Sequence, residues 1–290
     1  MVKGRLPSWF ERKPIDSKVI SVMRGLFREL NLHTICESAL CPNIGECFNQ
    51  STATFLILGD VCTRNCTFCA VKKGRPLPVD ENEPQHLLEA VIKLGLRYVV
   101  ITSVTRDDLP DGGASQFAEA IKLLHKNRDV AIVEVLIPDF LGLAEILRVV
   151  VEAHPEVLNH NVETVPRLYR EVRPMANYSR SVELLCRVKE MEPSIVTKSG
   201  IMLGLGETQD EVVEVMRDLR EANCELLTIG QYLRPSDRHH PVVRYVPPEE
   251  FSQYELMGKD MGFTGVVSTP LTRSSHKAAE LYAKAKAAVL

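Results

Sequence analysis

Six of the eight cysteines fall between positions 36 and 69, and their spacing is where chemistry is most legible. Cys62, Cys66 and Cys69 stand as C-x3-C-x2-C inside "GDVCTRNCTFC". Thiolates are soft ligands suited to zinc and to iron–sulfur clusters. A structural zinc site closes its tetrahedron with four ligands, whereas a catalytic metal keeps one position open. In an iron–sulfur cube each of four irons takes one external ligand. Three cysteines therefore hold three irons and leave the fourth available. The competing reading is a zinc knuckle on the C-x2-C of Cys66 and Cys69. It would want a second knuckle, and downstream Cys186 and Cys224 are single. Both read as core cysteines on helices. Upstream, Cys36, Cys41 and Cys47 make a second triad, C-x4-C-x5-C.

The bulk numbers narrow the setting. The chain has 290 residues, 45% apolar, with 35 Lys+Arg against 38 Asp+Glu and a net charge of −3. That is an ordinary globular composition, without the basic excess of a nucleic-acid binder. The N-terminal "MVKGRLPSWFERKPID" lacks the apolar core of a signal peptide, and no apolar run is long enough to span a bilayer. No nucleic-acid or membrane partner is expected, and the expected location is cytoplasmic. In a reducing compartment clustered cysteines bind metal or do chemistry.

These groups need elements to place them. Short apolar runs at 54–60, 98–104, 131–139, 157–164, 198–205 and 226–233 read as strands buried on both faces, as in a parallel sheet. Helical patterns lie between them, among them 84–96, 116–126 and 208–222. The last opens with Thr208 and Glu211 at capping-box spacing. Six β–α repeats predict an α/β fold of parallel strands, a partial (β/α)6 TIM-like barrel with N- and C-terminal extensions or else a doubly wound sheet. The expected division is 1–53, 54–235 and 236–290. A short strand in "GFTGVVSTP" and two helices complete the C-terminal extension. The polar exceptions gather at strand ends, where such folds carry their active groups: the cysteine loop, "SVTRDDLPDGG", Asp139, Glu163, "GLGE" and "QYLRPSD".

The C-x3-C-x2-C loop after a first parallel strand resembles the radical S-adenosylmethionine (SAM) superfamily. "CESALCPNIGEC" followed by "TATFLILGDVCTRNCTFC", with "SVTRDDLPDGGA", "NHNVETVPRLY", "VRPMANYSRS", "TKSGIMLGLGE", "QYLRPS", "PPEEF" and "RSSH", is similar to the lipoyl synthase family over roughly residues 31–282. The resemblance implies two [4Fe–4S] clusters and SAM. Cys62, Cys66 and Cys69 would hold the SAM-binding cluster. Cys36, Cys41, Cys47 and Ser275 would hold an auxiliary one. Serine is a weaker iron ligand than thiolate, which suits a cluster consumed as sulfur source. Thr105 and Asp107 of "SVTRDD", Glu163, and Gly204 and Glu207 of "GIMLGLGE" would contact SAM, with no residue catalytic in its own right. The implied reaction is sulfur insertion at C6 and C8 of an octanoyl chain carried on a lysine of a lipoyl carrier domain. The implied partners are octanoylated E2 subunits of 2-oxoacid dehydrogenases, the glycine cleavage H protein, an electron donor such as ferredoxin or flavodoxin, and an iron–sulfur carrier protein. Another radical SAM sulfur-inserting enzyme, or a two-cluster electron carrier, would use the same cysteines.

Two positions depart from the family pattern: His276 follows the serines in place of tyrosine, and Gln116 stands where histidine is expected. His239 and His240 read either as a solvated loop or as part of a lid with Arg234 and Arg238. Arg273 is expected either to fix the C-terminal loop or to lie at the surface. Strand alternation allows only one of His160 and Asn161 to face the inside of the barrel.

Overall fold

The computed structural model of the chain describes residues 6–10, 16–127, 129–130 and 132–289. Positions 1–5 and 11–15 of the N-terminal segment, and 131 at the head of the third predicted strand, lie outside these. The chain forms two compact units. One comprises Arg12–Asn65 and Ala70–Leu158, the other Met1–Glu11, Cys66–Cys69 and Asn159–Leu290.

The first unit opens with α1 (Ser17–Glu29), capped by the Asp16 carboxylate, which accepts from the Lys18 amide at 2.8 Å. Its apolar stripe buries Ile20, Met23 and Phe27. Phe27 meets Phe48 and Phe55 edge-on, each at 6.0 Å. Then come β1 (His33–Thr34), α2 (Ile35–Ser38), α3 (Ile44–Asn49), β2 (Thr54–Ile57), β3 (Val61–Cys62) and β4 (Lys72–Lys73). They are followed by α4 (Glu83–Leu94), β5 (Tyr98–Ser103), α5 (Ala114–Lys126), β6 (Ile132–Leu136), α6 (Ala144–Val151) and β7 (Val157–Asn159). The main strands run in the order β1-β2-β5-β6-β7. The β2–β5 and β5–β6 pairs are parallel, and β1 is an antiparallel edge on β2. β3 and β4 pair separately, as a small parallel ribbon.

The chain passes at Asn159 into the second unit. There lie α7 (Tyr169–Val172), α8 (Tyr178–Met191), β8 (Val196–Leu203), α9 (Gln209–Glu221), β9 (Leu226–Gln231), α10 (Pro248–Asp260), β10 (Gly265–Ser268) and α11 (Ala278–Val289). Within this unit the strand order is β8-β9-β10, with β8–β9 and β9–β10 parallel. The capping box is present: the Thr208 hydroxyl accepts from the Glu211 amide at 3.3 Å, and the Glu211 carboxylate accepts from the Thr208 amide at 2.8 Å.

All six predicted strands are found, and β10 joins them in parallel beside β9. The fourth is shorter than its sequence pattern. It ends at Asn159, and Glu163 rejoins through a single bridge to Ile201. Glu163 has φ 66°, a left-handed backbone that no regular strand accommodates. Cys224 is fully buried, as expected. Cys186 is not a core residue. It is half-exposed on α8, its thiol turned toward the Glu190 carboxylate one turn on. The polar face of a helix overrides cysteine's tendency to be buried.

Candidate functional site

The upstream triad lies in the first unit, on two short helices and the turn between them. Thr34 caps α2, and the Cys41 amide closes on the Cys36 carbonyl at 3.0 Å. The Cys47 carbonyl accepts from both the amide and the hydroxyl of Thr52, each at 2.9 Å. Burial pushes the Cys36 thiol up to about 12, and the charge of Cys41 adds to the shift. Burial and Cys41 likewise push Cys47 up to about 11. The Cys41 charge thus reaches both of the other thiols. Ionised together without a cation, such thiols repel one another in a poorly solvated pocket. A metal centre removes that cost by replacing the protons, so the donor set fits an iron–sulfur cluster. Among the described residues, no three His, Cys, Asp or Glu side chains could hold one metal ion. A cube distributes its ligands over separate irons and makes no such demand.

Cys62 ends β3, and its carbonyl accepts from the Gly74 amide at 3.0 Å. Two residues on, Arg64 turns back into the first unit, almost fully buried. Its guanidinium grips Asp107 with two bonds, Nε at 2.7 Å and Nη2 at 2.8 Å, and reaches Asp139 from Nη2 at 2.6 Å. The Thr63 amide and hydroxyl both donate to the Thr105 carbonyl at 3.0 Å, and the Asp107 amide donates to the Thr63 hydroxyl. Thr105 and Asp107, read as cofactor contacts, are thus placed bracing the cysteine loop. Arg106 holds Asp108 by a paired bond and reaches the Leu58 carbonyl. Gln116, where histidine was expected, donates to the Asp80 carbonyl at 2.9 Å and approaches Glu83 at 3.5 Å. Glu83 in turn holds the Leu58 amide at 2.7 Å, just ahead of the loop.

The other half of the loop, Cys66–Cys69, belongs to the second unit. The Cys69 amide turns onto the Cys66 carbonyl at 3.3 Å. Thr67 bonds the Val172 carbonyl through its amide and the Glu171 carbonyl through its hydroxyl, both at 2.9 Å. From a distant part of the sequence, the His240 amide donates to the Thr67 carbonyl at 2.9 Å, and His239 Nε2 lies 3.1 Å from the Cys69 carbonyl. His240 is buried, its ring between Glu171 Oε1 and the Pro241 carbonyl, each at 2.9 Å. The Tyr232 hydroxyl and Arg234 Nε hold the two histidine carbonyls. His239 and His240 thus clamp the cysteine turn rather than lying in solvent, while Ser236–Arg238 beside them are exposed. Sequence reasoning missed this because the partners are more than 160 residues apart.

The strand ends of the second unit carry the remaining expected residues. Glu163 is half-buried, and Asn161 Nδ2 donates to it at 3.0 Å. Burial raises its carboxyl above the usual range, opposed by Arg173, Asn161 and Arg273. The Glu207 carboxylate accepts from the amides of Gly204, Leu205 and Gly206 at 2.6, 2.9 and 3.1 Å, so it shapes the turn that holds Gly204. His160 points to helix α8, its Nε2 3.0 Å from the Ser181 hydroxyl. Asn159 and Asn161 share the opposite face, as alternation requires. Both bond Ser274, the neighbour of Ser275. Thr269–Thr272 fold into a turn tied to β9 by the Ile229 and Pro270 carbonyls. Gly230 on β9 admits the Thr272 carbonyl: a Cβ there would stand 2.1 Å from that oxygen. Arg273 donates from Nη1 to the same carbonyl at 2.6 Å, which fixes the loop rather than leaving the arginine at the surface.

Residues 56–219 match the Radical SAM superfamily, and solved structures share the fold. HydG, a maturase of the [FeFe]-hydrogenase, superposes with a TM-score of 0.59 at 14% identity, covering 88% of this chain and 57% of its own. Methylornithine synthase does so at 0.55 and 14%, covering 83% and 75%. The parallel α/β fold and the three-cysteine loop therefore define a radical SAM protein with that superfamily's partial barrel. The lipoyl synthase of Caldanaerobacter subterraneus subsp. tengcongensis is 58% identical over 94% of this chain and 96% of its own. Those of Caldicellulosiruptor bescii and Rubrobacter xylanophilus are 55% and 53% identical, each over 94% of this chain and over 94% and 85% of their own. The chain belongs to the lipoyl synthase family and is an enzyme.

Proposed function

We propose that this chain is a sulfurtransferase that inserts two sulfur atoms, at C6 and C8 of an octanoyl chain in amide linkage to a lysine of a lipoyl carrier domain. The observation that carries this reading is the pair of cysteine triads, each seated on its own tightly bonded turn. Cys62, Cys66 and Cys69 would hold the SAM-binding [4Fe–4S] cluster. Cys36, Cys41, Cys47 and Ser275 would hold the auxiliary one. Once bound, the first cluster and SAM supply a 5′-deoxyadenosyl radical able to take hydrogen from unactivated carbon, and the second cluster supplies sulfur.

The protein's part is placement. Arg64, with Asp107 and the Thr105 carbonyl, fixes the entry of the cysteine loop, and His239 and His240 fix its exit. Glu163 would meet the SAM ribose. Gly204 would lie beside the adenine, with Glu207 shaping the backbone there. Gly230, Asn159 and Asn161 seat the loop that bears Ser275. No helix among the described residues is long and apolar enough to cross a membrane. The proposed location is the cytoplasm. The partners would be octanoylated E2 subunits and glycine cleavage H protein, a ferredoxin or flavodoxin as electron donor, and an iron–sulfur carrier protein.

Anaerobic incubation with SAM, a reductant and an octanoyl-lysyl peptide tests the reading by mass spectrometry. The peptide should gain two sulfurs in place of two hydrogens. Replacing Cys36, Cys41 and Cys47 by Ala should leave 5′-deoxyadenosine formation and abolish the mass gain. Sulfur insertion by that variant would reject the assignment.

A further inference from the structure

Three side chains of the second unit form a hydrogen-bond chain with one direction. Asn159 Nδ2 donates to the Ser274 hydroxyl at 2.7 Å. Ser274 donates to Asn161 Oδ1 at 3.0 Å. Asn161 Nδ2 donates to Glu163 Oε1 at 3.0 Å. Every donor points toward the carboxylate, so each bond polarises the next.

The link is also stiff. Arg173 Nη1 holds the Asn161 and Val162 carbonyls at 2.9 and 3.1 Å, and the Tyr169 hydroxyl holds Val162 at 2.8 Å. The Asn161 amide packs over Gly200, where a Cβ would stand 2.8 Å from Oδ1. It therefore cannot swing away without leaving both partners. At one end of the chain stands the segment Arg273–His276, at the other a half-buried carboxylate on a left-handed backbone.

We propose that Asn161 is a positioning residue that couples the seat of the Ser275 loop to whatever Glu163 binds. This rests on the function proposed above, in which Glu163 faces SAM and Ser275 faces the auxiliary cluster. A ligand that holds the Glu163 carboxylate in one place steadies its hold on Asn161, and through it the hold on Ser274. Coupling of this kind is reciprocal: SAM firms the loop, and the loop tightens SAM. The physical use is order. The weak serine corner stays seated while SAM is present and loosens when SAM has been spent.

The test uses the full chain with both clusters reconstituted. Hydrogen–deuterium exchange reads the Thr272 and His276 amides, which bond the Thr269 and Arg273 carbonyls. Equilibrium dialysis reads SAM affinity. In the unmodified protein, saturating SAM should slow exchange at 269–276 by about 3- to 10-fold, the range expected for one net hydrogen bond. Ser274→Ala should lose that response and weaken SAM binding by a similar factor, and Ser274→Thr should restore both. Asn161→Asp keeps the acceptor for Ser274 but sets a second carboxylate against Glu163, so it should weaken SAM binding most. Ser274→Ala added to Asn161→Ala should cost nothing further. Exchange that ignores SAM in the unmodified protein, wild-type SAM affinity in Ser274→Ala, or effects that add in the double variant would overturn the coupling alone. A wild-type chain that binds no SAM would overturn the function and the coupling together.

Discussion

Arg64 occupies the C-x3-C spacing, where any residue would satisfy the motif, yet its guanidinium is the anchor of the loop. Its side chain is 4% exposed and its partner Asp139 is fully buried. Removing one member of a buried pair strands the other charge, at about 3–5 kcal/mol. Arg64→Met should lower the unfolding free energy by that order in urea titrations of the cluster-free chain. Arg64→Lys should recover only part, because an ammonium cannot make the two-pronged bond to Asp107. Cys224 gives a second residue-level prediction. Burial pushes its thiol up to about 12, against 9.0 for an unperturbed one. Above pH 9 the unfolded chain releases this proton while the folded chain keeps it. The contribution to stability is therefore whole below about 9 and lost as pH rises toward 12. Stability measured at pH 8, 9 and 10 should fall, and fall less steeply in Cys224→Ala. Equal slopes would show that the thiol ionises in place.

At the scale of elements, the regular and irregular parts of the fold were unequally legible. The strands were readable because residues such as Phe55–Ile57 and Val99–Ile101, buried on both faces, give unbroken apolar runs. Helix α9 was readable from its cap. The loops were not, because their shape is set by partners far along the chain: Arg64 by Asp139, Thr67 by His240, Ser274 by Asn159. Histidines in a Pro-flanked loop carry no local signal of burial, so the clamp on Cys66–Cys69 had to be seen. It can be tested by removing one contact. In a chain already lacking the upstream triad, His239→Ala should speed chelator extraction of the remaining iron by about 3- to 10-fold, the worth of one hydrogen bond. His239→Gln, which retains a donor, should extract more slowly than the alanine variant. The seat of the serine loop has an equally local test. Gly230→Ala sets a methyl where the Thr272 carbonyl lies, 2.1 Å from its oxygen, so the backbone of that loop must shift. The chain should fold, with its total helix and strand content unchanged by circular dichroism, but lose sulfur insertion while keeping SAM cleavage.

At the scale of the whole chain, two cysteine triads must be loaded independently for the proposed reaction, because one cluster is consumed and the other is not. The sequence disclosed both triads, since ligand spacing is a local property. It could not disclose that each is held by separate hydrogen-bond frameworks, Thr34 and Thr52 around the upstream one, Arg64 and the histidine clamp around the other. Separate frameworks predict separable iron. Each cube carries four irons, so the fully reconstituted chain should hold about eight. Replacing Cys36, Cys41 and Cys47 together should leave about four, in a cluster whose EPR signal in the reduced state still shifts on adding SAM. Replacing Cys62, Cys66 and Cys69 should also leave about four, with a signal indifferent to SAM. In the proposed ligand set Ser275→Ala would remove one oxygen ligand and no thiolate, so it should keep close to eight at first and lose up to four on gentle chelation. If either triple variant lost all its iron, the two sites would be folding as one, and independent renewal of the sulfur-donating cluster would have no structural basis.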